Sequence, residues 1–121
     1  MEFRCLCLCN EEEQLVLRQG MEEFAHRTHR CVTPEWYQRR EDLIYRTRSG
    51  GYDTVIVALP GALGMEAVLG VRERAPAIPL VWCSDDDVFA LQSYRMKVTA
   101  FLRLPLQSEI LVTALIQCTQ V

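Results

Sequence analysis

Two short apolar runs constrain this chain more than anything else in it: residues 54–59 (TVIVAL) and 78–83 (IPLVWC). Neither alternates apolar with polar residues, as a strand with one wet face does. Continuous apolar runs of this length belong to strands covered on both faces, which is the setting of a parallel sheet. A third run, 3–9, and a fourth, 98–103 just before Pro105, add two more strands. A fifth, 31–37, is the weakest, because Pro34 interrupts it and assigns it to an edge. Helical periodicity fills the gaps. Residues 12–29 set Leu17, Met21, Phe24 and Thr28 on one face. Residues 41–48 carry Leu43, Ile44 and Thr47 and stop at Ser49-Gly50-Gly51. Residues 64–74 carry Met65, Val68 and Val71-Arg72 and end before Pro76. Residues 86–95 and 107–118 complete the set, the last with Ile110, Leu111, Ala114, Leu115 and Cys118. Five alternating strand–helix units with short connections predict an α/β doubly wound sheet with helices on both faces.

The 121 residues suffice for one domain, and half of them are hydrophobic, so a core can form without disulfide or metal staples. A net charge of −3 argues against a whole-chain electrostatic grip on nucleic acid or anionic membrane. No apolar run approaches the length of a membrane span, and Met1-Glu2-Phe3-Arg4 lacks the form of a secretory signal. Six cysteines in such a chain read as reduced thiols, and a cytoplasmic location is expected.

The order of residues resembles the receiver domain of bacterial two-component response regulators. Tyr52-Asp53 followed by Thr-Val-Ile-Val resembles the third strand and its lead-in. Pro60-Gly61 and then Gly64-Met65-Glu66-Ala67-Val68 resemble the entry to the third helix. Ala77-Ile78-Pro79-Leu80-Val81-Trp82-Cys83-Ser84 resembles the fourth strand, which ends in a hydroxyl residue. From Ser84 to Pro105, including Phe89-Ala90-Leu91-Gln92-Ser93-Tyr94, the chain follows the LytTR-type subgroup. The resemblance is strong over 52–115 and only topological over 28–40. It implies a flavodoxin-like (CheY-like) sheet in the order 2-1-3-4-5, spanning residues 1–121 as a single domain, and a cis peptide bond at Leu104–Pro105.

The receiver reaction moves a phosphoryl group onto an aspartate at the end of the third strand. It needs Mg²⁺ on acidic residues after the first strand, and a hydroxyl and a lysine to neutralise charge. Carried over position by position, that set fails. The acceptor falls on Ala58, and the loop after it is two residues short. The acidic pair falls on Cys9-Asn10 or on Asn10-Glu11. The hydroxyl position, Ser84, is retained, with an added carboxylate beside it at Asp85. The lysine position is Leu104, although Pro105 survives. An alanine methyl cannot attack phosphorus, so the chain reads as a degenerate, or pseudo-, receiver.

Cys5, Cys7 and Cys9 alternate onto one face of the first strand, a spacing suited to packing and lacking the turn that lets thiolates converge on zinc. Cys9 and Cys83 fall at strand carboxyl ends, the rim where doubly wound folds place ligands. His26 and His29 stand i, i+3 without a third ligand and beside Arg27 and Arg30. Glu11-Glu12-Glu13 suit the first turn of a helix, with Glu11 nearest the old pocket. In Asp85-Asp86-Asp87 one residue caps the fourth helix and Asp85 turns inward. Six of the 13 basic residues lie between Arg27 and Arg48, mixed with acids, as on a solvated face. Gly61-Ala-Leu-Gly64 lacks the spacing of a nucleotide loop.

The expected function is therefore a non-enzymatic, phosphorylation-independent signalling or interaction module. No cofactor, metal, nucleic acid or membrane is expected to bind this domain. Its expected partner is a second copy or another protein, docked on the fourth helix, fifth strand and fifth helix through Val88, Phe89, Tyr94 and Met96. Phe101 is the switch aromatic by resemblance, fixed in one rotamer. Whether an output domain follows Val121 stays open. The alternative is a small-molecule or ion binder, or an enzyme, that reuses Cys9, Asn10, Glu11, Ser84 and Asp85.

Overall fold

In the computed structural model, which describes residues 2–120, five parallel strands lie in the order β2-β1-β3-β4-β5. The strands are β1 (Glu2–Cys9), β2 (Cys31–Tyr37), β3 (Thr54–Ala58), β4 (Leu80–Ser84) and β5 (Ala100–Arg103). The helices are α1 (Glu11–Thr28), α2 (Arg40–Thr47), α3 (Gly61–Arg74), α4 (Ala90–Arg95) and α5 (Ser108–Cys118), with a 3₁₀ turn, Asp87–Phe89, leading into α4. The expected strand order is the observed one. β3 and β4 are buried along their whole length, as their unbroken apolar runs require. The weakly signalled β2 is a full seven-residue strand at the sheet edge, with Pro34 opposite Cys5 of its single neighbour.

The sheet divides the core into two layers. On one side Cys5, Cys7, Cys9, Ile56, Ala58, Val81 and Cys83 pack against Leu17, Met21 and Phe24 of α1 and Leu111, Val112 and Leu115 of α5. On the other, Leu6, Leu8, Val55, Val57 and Trp82 pack against Leu43 of α2 and Ala67, Val68 and Val71 of α3. The cysteine stripe is thus a small-volume apolar surface receiving α1 and α5, as its period of two predicts.

Element edges moved for local reasons. α3 begins at Gly61 rather than at residue 64, because Gly61 sits at φ +63° and lets the helix start directly after Pro60. Residues 86–95 split into a 3₁₀ turn and a six-residue helix. Thr28, expected on the inner face of α1, is half-buried and donates its hydroxyl to Phe24 O at 2.7 Å. Ile110, expected in the core, is exposed in the first turn of α5. At the amino end of the sheet the guanidinium of Arg72 donates to four carbonyls, those of Met96, Ala75, Ile78 and Lys97, at 2.7–3.1 Å, binding the end of α3 to the loop after α4.

Candidate functional site

The carboxyl ends of β1, β3 and β4 meet in a single row. Ala58 pairs in register with Cys9 on one side and Cys83 on the other. All three are buried. Where the resemblance places a reactive carboxylate, the structure has a methyl group between two thiols. Burial pushes the Cys9 thiol up to about 11, with the charge of Glu13 adding to the effect. The same desolvation, strengthened by Glu13 and Cys9, raises Cys83 further. These thiols are protonated at neutral pH and behave as small hydrophobes, not nucleophiles. All six cysteines are free, and Cys31 alone among them is exposed.

The loops above this row are tied to one another by hydrogen bonds. The Asp85 carboxylate accepts from the backbone N–H of Gly61 at 3.1 Å, joining the β4–α4 loop to the first residue of α3. Ser84 is fully buried, and its Oγ accepts from Asp86 N at 3.3 Å. The Ser84 carbonyl accepts from Leu104 N at 2.9 Å. Leu104 itself packs against the α1/α5 layer, and the Leu104–Pro105 bond is cis, as expected. Asp86 is the cap, its carboxylate accepting from Val88 N at 2.9 Å. The sequence reading left open which aspartate is the cap and turned Asp85 inward, whereas Asp85 is exposed and reaches sideways to Gly61, a partner that depends on two loops remote in sequence.

Asn10 and Glu11, the remaining candidates, are exposed at the start of α1, and the Asn10 side chain makes no capping hydrogen bond. Cys9 opens toward a different place. It lines a groove of about 440 Å³ with Gln14, Trp36, Tyr37, Gln38, Arg39 and Asp42. That groove lies on the β2 side of β1, opposite Ala58 and Ser84. Of the five residues of the alternative binding-site reading, Cys9 lines this groove and the other four do not. Among the described residues no group of three or more His, Cys, Asp and Glu is placed to hold a metal ion, and no helix is long and apolar enough to cross a membrane.

The expected interface residues divide. Val88 and Tyr94 are exposed, at 67% and 83%. Phe89, Met96 and Phe101 are not free surface: all three are half-buried and pack on the α2/α3 layer. Trp82 holds the two phenylalanines there, its ring lying 5.6 Å from that of Phe89 and 5.2 Å edge-on from that of Phe101. The Trp82 Nε1 has no hydrogen-bond partner among the described residues. Leu91, quoted only as part of the family pattern, is 58% exposed between Val88 and Tyr94. Its position at i+3 from Val88 and i−3 from Tyr94 is the signal that would have found it.

The basic stretch 27–48 is largely neutralised. Arg46 donates to both oxygens of Glu35 at 2.9 and 3.2 Å, Arg27 reaches Glu23 at 2.8 Å, and Arg40 pairs with Glu66. Arg46, Tyr37 and Arg4 together hold the Glu35 carboxyl down at about 2, Arg46 most of all.

Comparison with solved structures decides the fold. The chemotaxis response regulator CheY4 of Vibrio cholerae superposes with a TM-score of 0.73 at 16% identity, over 98% of this chain and 99% of that one. The non-phosphorylated HemR receiver domain of Leptospira biflexa gives 0.72 at 15%, over 98% and 95%. An orphan response regulator of H. pylori gives 0.73 at 14%, over 96% and 95%. The fold is that of a receiver domain. No protein-family model matches the sequence, and no curated protein matches it either. In this receiver fold the rim described above stands at the carboxyl edge of the sheet, where doubly wound folds carry their chemistry.

Proposed function

We propose that this receiver-fold domain is a signalling and interaction module that works without phosphorylation, a degenerate receiver akin to the LytTR-type subgroup. The observation that carries the reading is Ala58: a buried methyl group at the carboxyl end of β3, in register with two buried thiols. Losing the nucleophile removes the covalent step altogether, whereas losing a charge-stabilising group alone costs about 10²–10³ in rate. Leu104 in place of a lysine, and Cys9-Asn10 or Asn10-Glu11 in place of an acidic pair, weaken the metal and charge chemistry further.

Asp85 supports the same reading from the other direction. Its carboxylate accepts from Gly61 N at the head of α3, so an anion of the protein's own ties together the two loops that a phosphoryl group would otherwise bridge. The module then acts through its α4 side on a second copy or on a partner protein.

The test is intact-mass measurement after incubation with acetyl phosphate and Mg²⁺. No phosphoryl adduct is expected, in the wild type or in an Asp85→Asn variant. An adduct on the wild type that disappears in Asp85→Asn would overturn the reading and make Asp85 an acceptor.

A further inference from the structure

We propose that two copies of this chain associate by packing α4 against α4, antiparallel, about a twofold axis at Leu91. The proposal rests on the α4-side interaction reading above and names both the occupant and the geometry. Its basis is a pattern that the fold turns outward. From Asp87 to Arg95 the backbone is helical without a break, a 3₁₀ turn running into α4. Phe89 and Ser93 face inward, so Val88, Leu91 and Tyr94 form an exposed ridge at intervals of three residues.

That ridge is evenly spaced about Leu91 and antisymmetric in charge. Val88 and Tyr94 stand three residues to either side. Asp87 and Arg95 stand four to either side, within the same helical stretch. Laying a second copy across the first in the antiparallel sense therefore sets Leu91 on Leu91, Val88 on Tyr94, and Asp87 beside Arg95, twice over. An isologous contact requires such self-complementarity, in which each residue meets its counterpart's partner. A helix dipole alone would be served by acids and bases anywhere in the end turns, and it does not ask for equal spacing about a leucine.

The charges are available for it. Arg95 and Lys97 make no ion pair among the described residues, whereas Asp87 pairs within the chain to Arg103, both remaining mostly exposed. An Arg103–Asp87–Arg95 arrangement across the axis lets one carboxylate serve two guanidinium groups. Because the ridge is narrow, the association is weak and salt-sensitive, and is read at high protein concentration.

The experiment joins sedimentation equilibrium to cross-linking. In a Cys31→Ser background, Leu91→Cys is oxidised with copper phenanthroline beside a Tyr45→Cys control on the exposed face of α2. A covalent dimer at position 91, at least tenfold faster than the control, is expected. Sedimentation of the unmodified chain then tests the charges. Arg95→Glu and Asp87→Arg, each alone, are expected to weaken self-association about tenfold, and an equimolar mixture of the two to recover it, since both crossed pairs are restored. A dimer that does not cross-link at 91, or a mixture no tighter than its components, overturns this arrangement and leaves the broader interface reading standing. A chain that stays monomeric while an added protein partner protects Leu91→Cys from alkylation overturns self-association in favour of that partner. A chain that stays monomeric, with Leu91→Cys protected by nothing, overturns both.

Discussion

Replacing Gly64 with alanine puts a methyl group where the fold has no room for one. A Cβ built on Gly64 would lie 2.3 Å from the carbonyl oxygen of Leu59 and 3.3 Å from Trp82 Nε1. The first neighbour is backbone, held between β3 and the Pro60-Gly61 turn; the second belongs to a fully buried indole. Neither is the free end of a flexible side chain. Relief requires the head of α3 to lift by about an ångström, and overpacking of this kind costs about 2–3 kcal/mol where backbone must move. Against that stands about 1 kcal/mol gained by exchanging glycine for alanine in a helix. The net expectation is a loss of about 1–2 kcal/mol.

Gly70, on the same helix, supplies the control. Its added Cβ would lie 2.3 Å from Ile44 Cδ1, the tip of a half-buried side chain that can turn away. A rotamer change of about 0.5–1.5 kcal/mol then roughly cancels the helical gain. Urea denaturation followed by circular dichroism is expected to show Gly64→Ala well below wild type and Gly70→Ala within about 0.5 kcal/mol of it. Equal stability for Gly64→Ala, or equal damage at both sites, would refute the argument from the rigidity of the neighbour.

Two further outcomes follow from the same structure. Because the folded Glu35 carboxyl is held below its ordinary value, its contribution to stability is complete above about pH 4.5 and is lost as pH falls toward about 2. Glu35→Gln is therefore expected to cost about 1–2 kcal/mol at pH 7 and to flatten the acid limb of the stability–pH curve, measured by urea titration at several pH values. Among the six thiols, Cys31 is expected to react with an aromatic disulfide reagent at once, and the buried five only as fast as the fold opens. Fast modification of Cys9 or Cys83 in the native protein would contradict their raised thiol pKa values.

What the sequence determined by itself was whatever depends on local period. The runs at 54–59 and 78–83 announce buried parallel strands because each residue in them must be dry, whichever face it takes. The Cys/Leu alternation of β1 puts the cysteines on one face and the leucines on the other, since a strand's side chains change sides at every residue, while the structure decides that α1 and α5 cover the first and α2 and α3 the second. The absence of a nucleophile at Ala58 is also legible, because a side-chain type does not depend on folding. Tertiary structure alone decided the rest. It is the 3₁₀ turn before α4, together with the bulk of Trp82, that draws Phe89 inward and leaves Leu91 outside; apolar residues at neighbouring helical positions look alike until a partner ring selects one of them. In the same way the Asp85 carboxylate finds Gly61 N only because two loops 24 residues apart are brought side by side at the ends of adjacent strands, a proximity that no local pattern encodes.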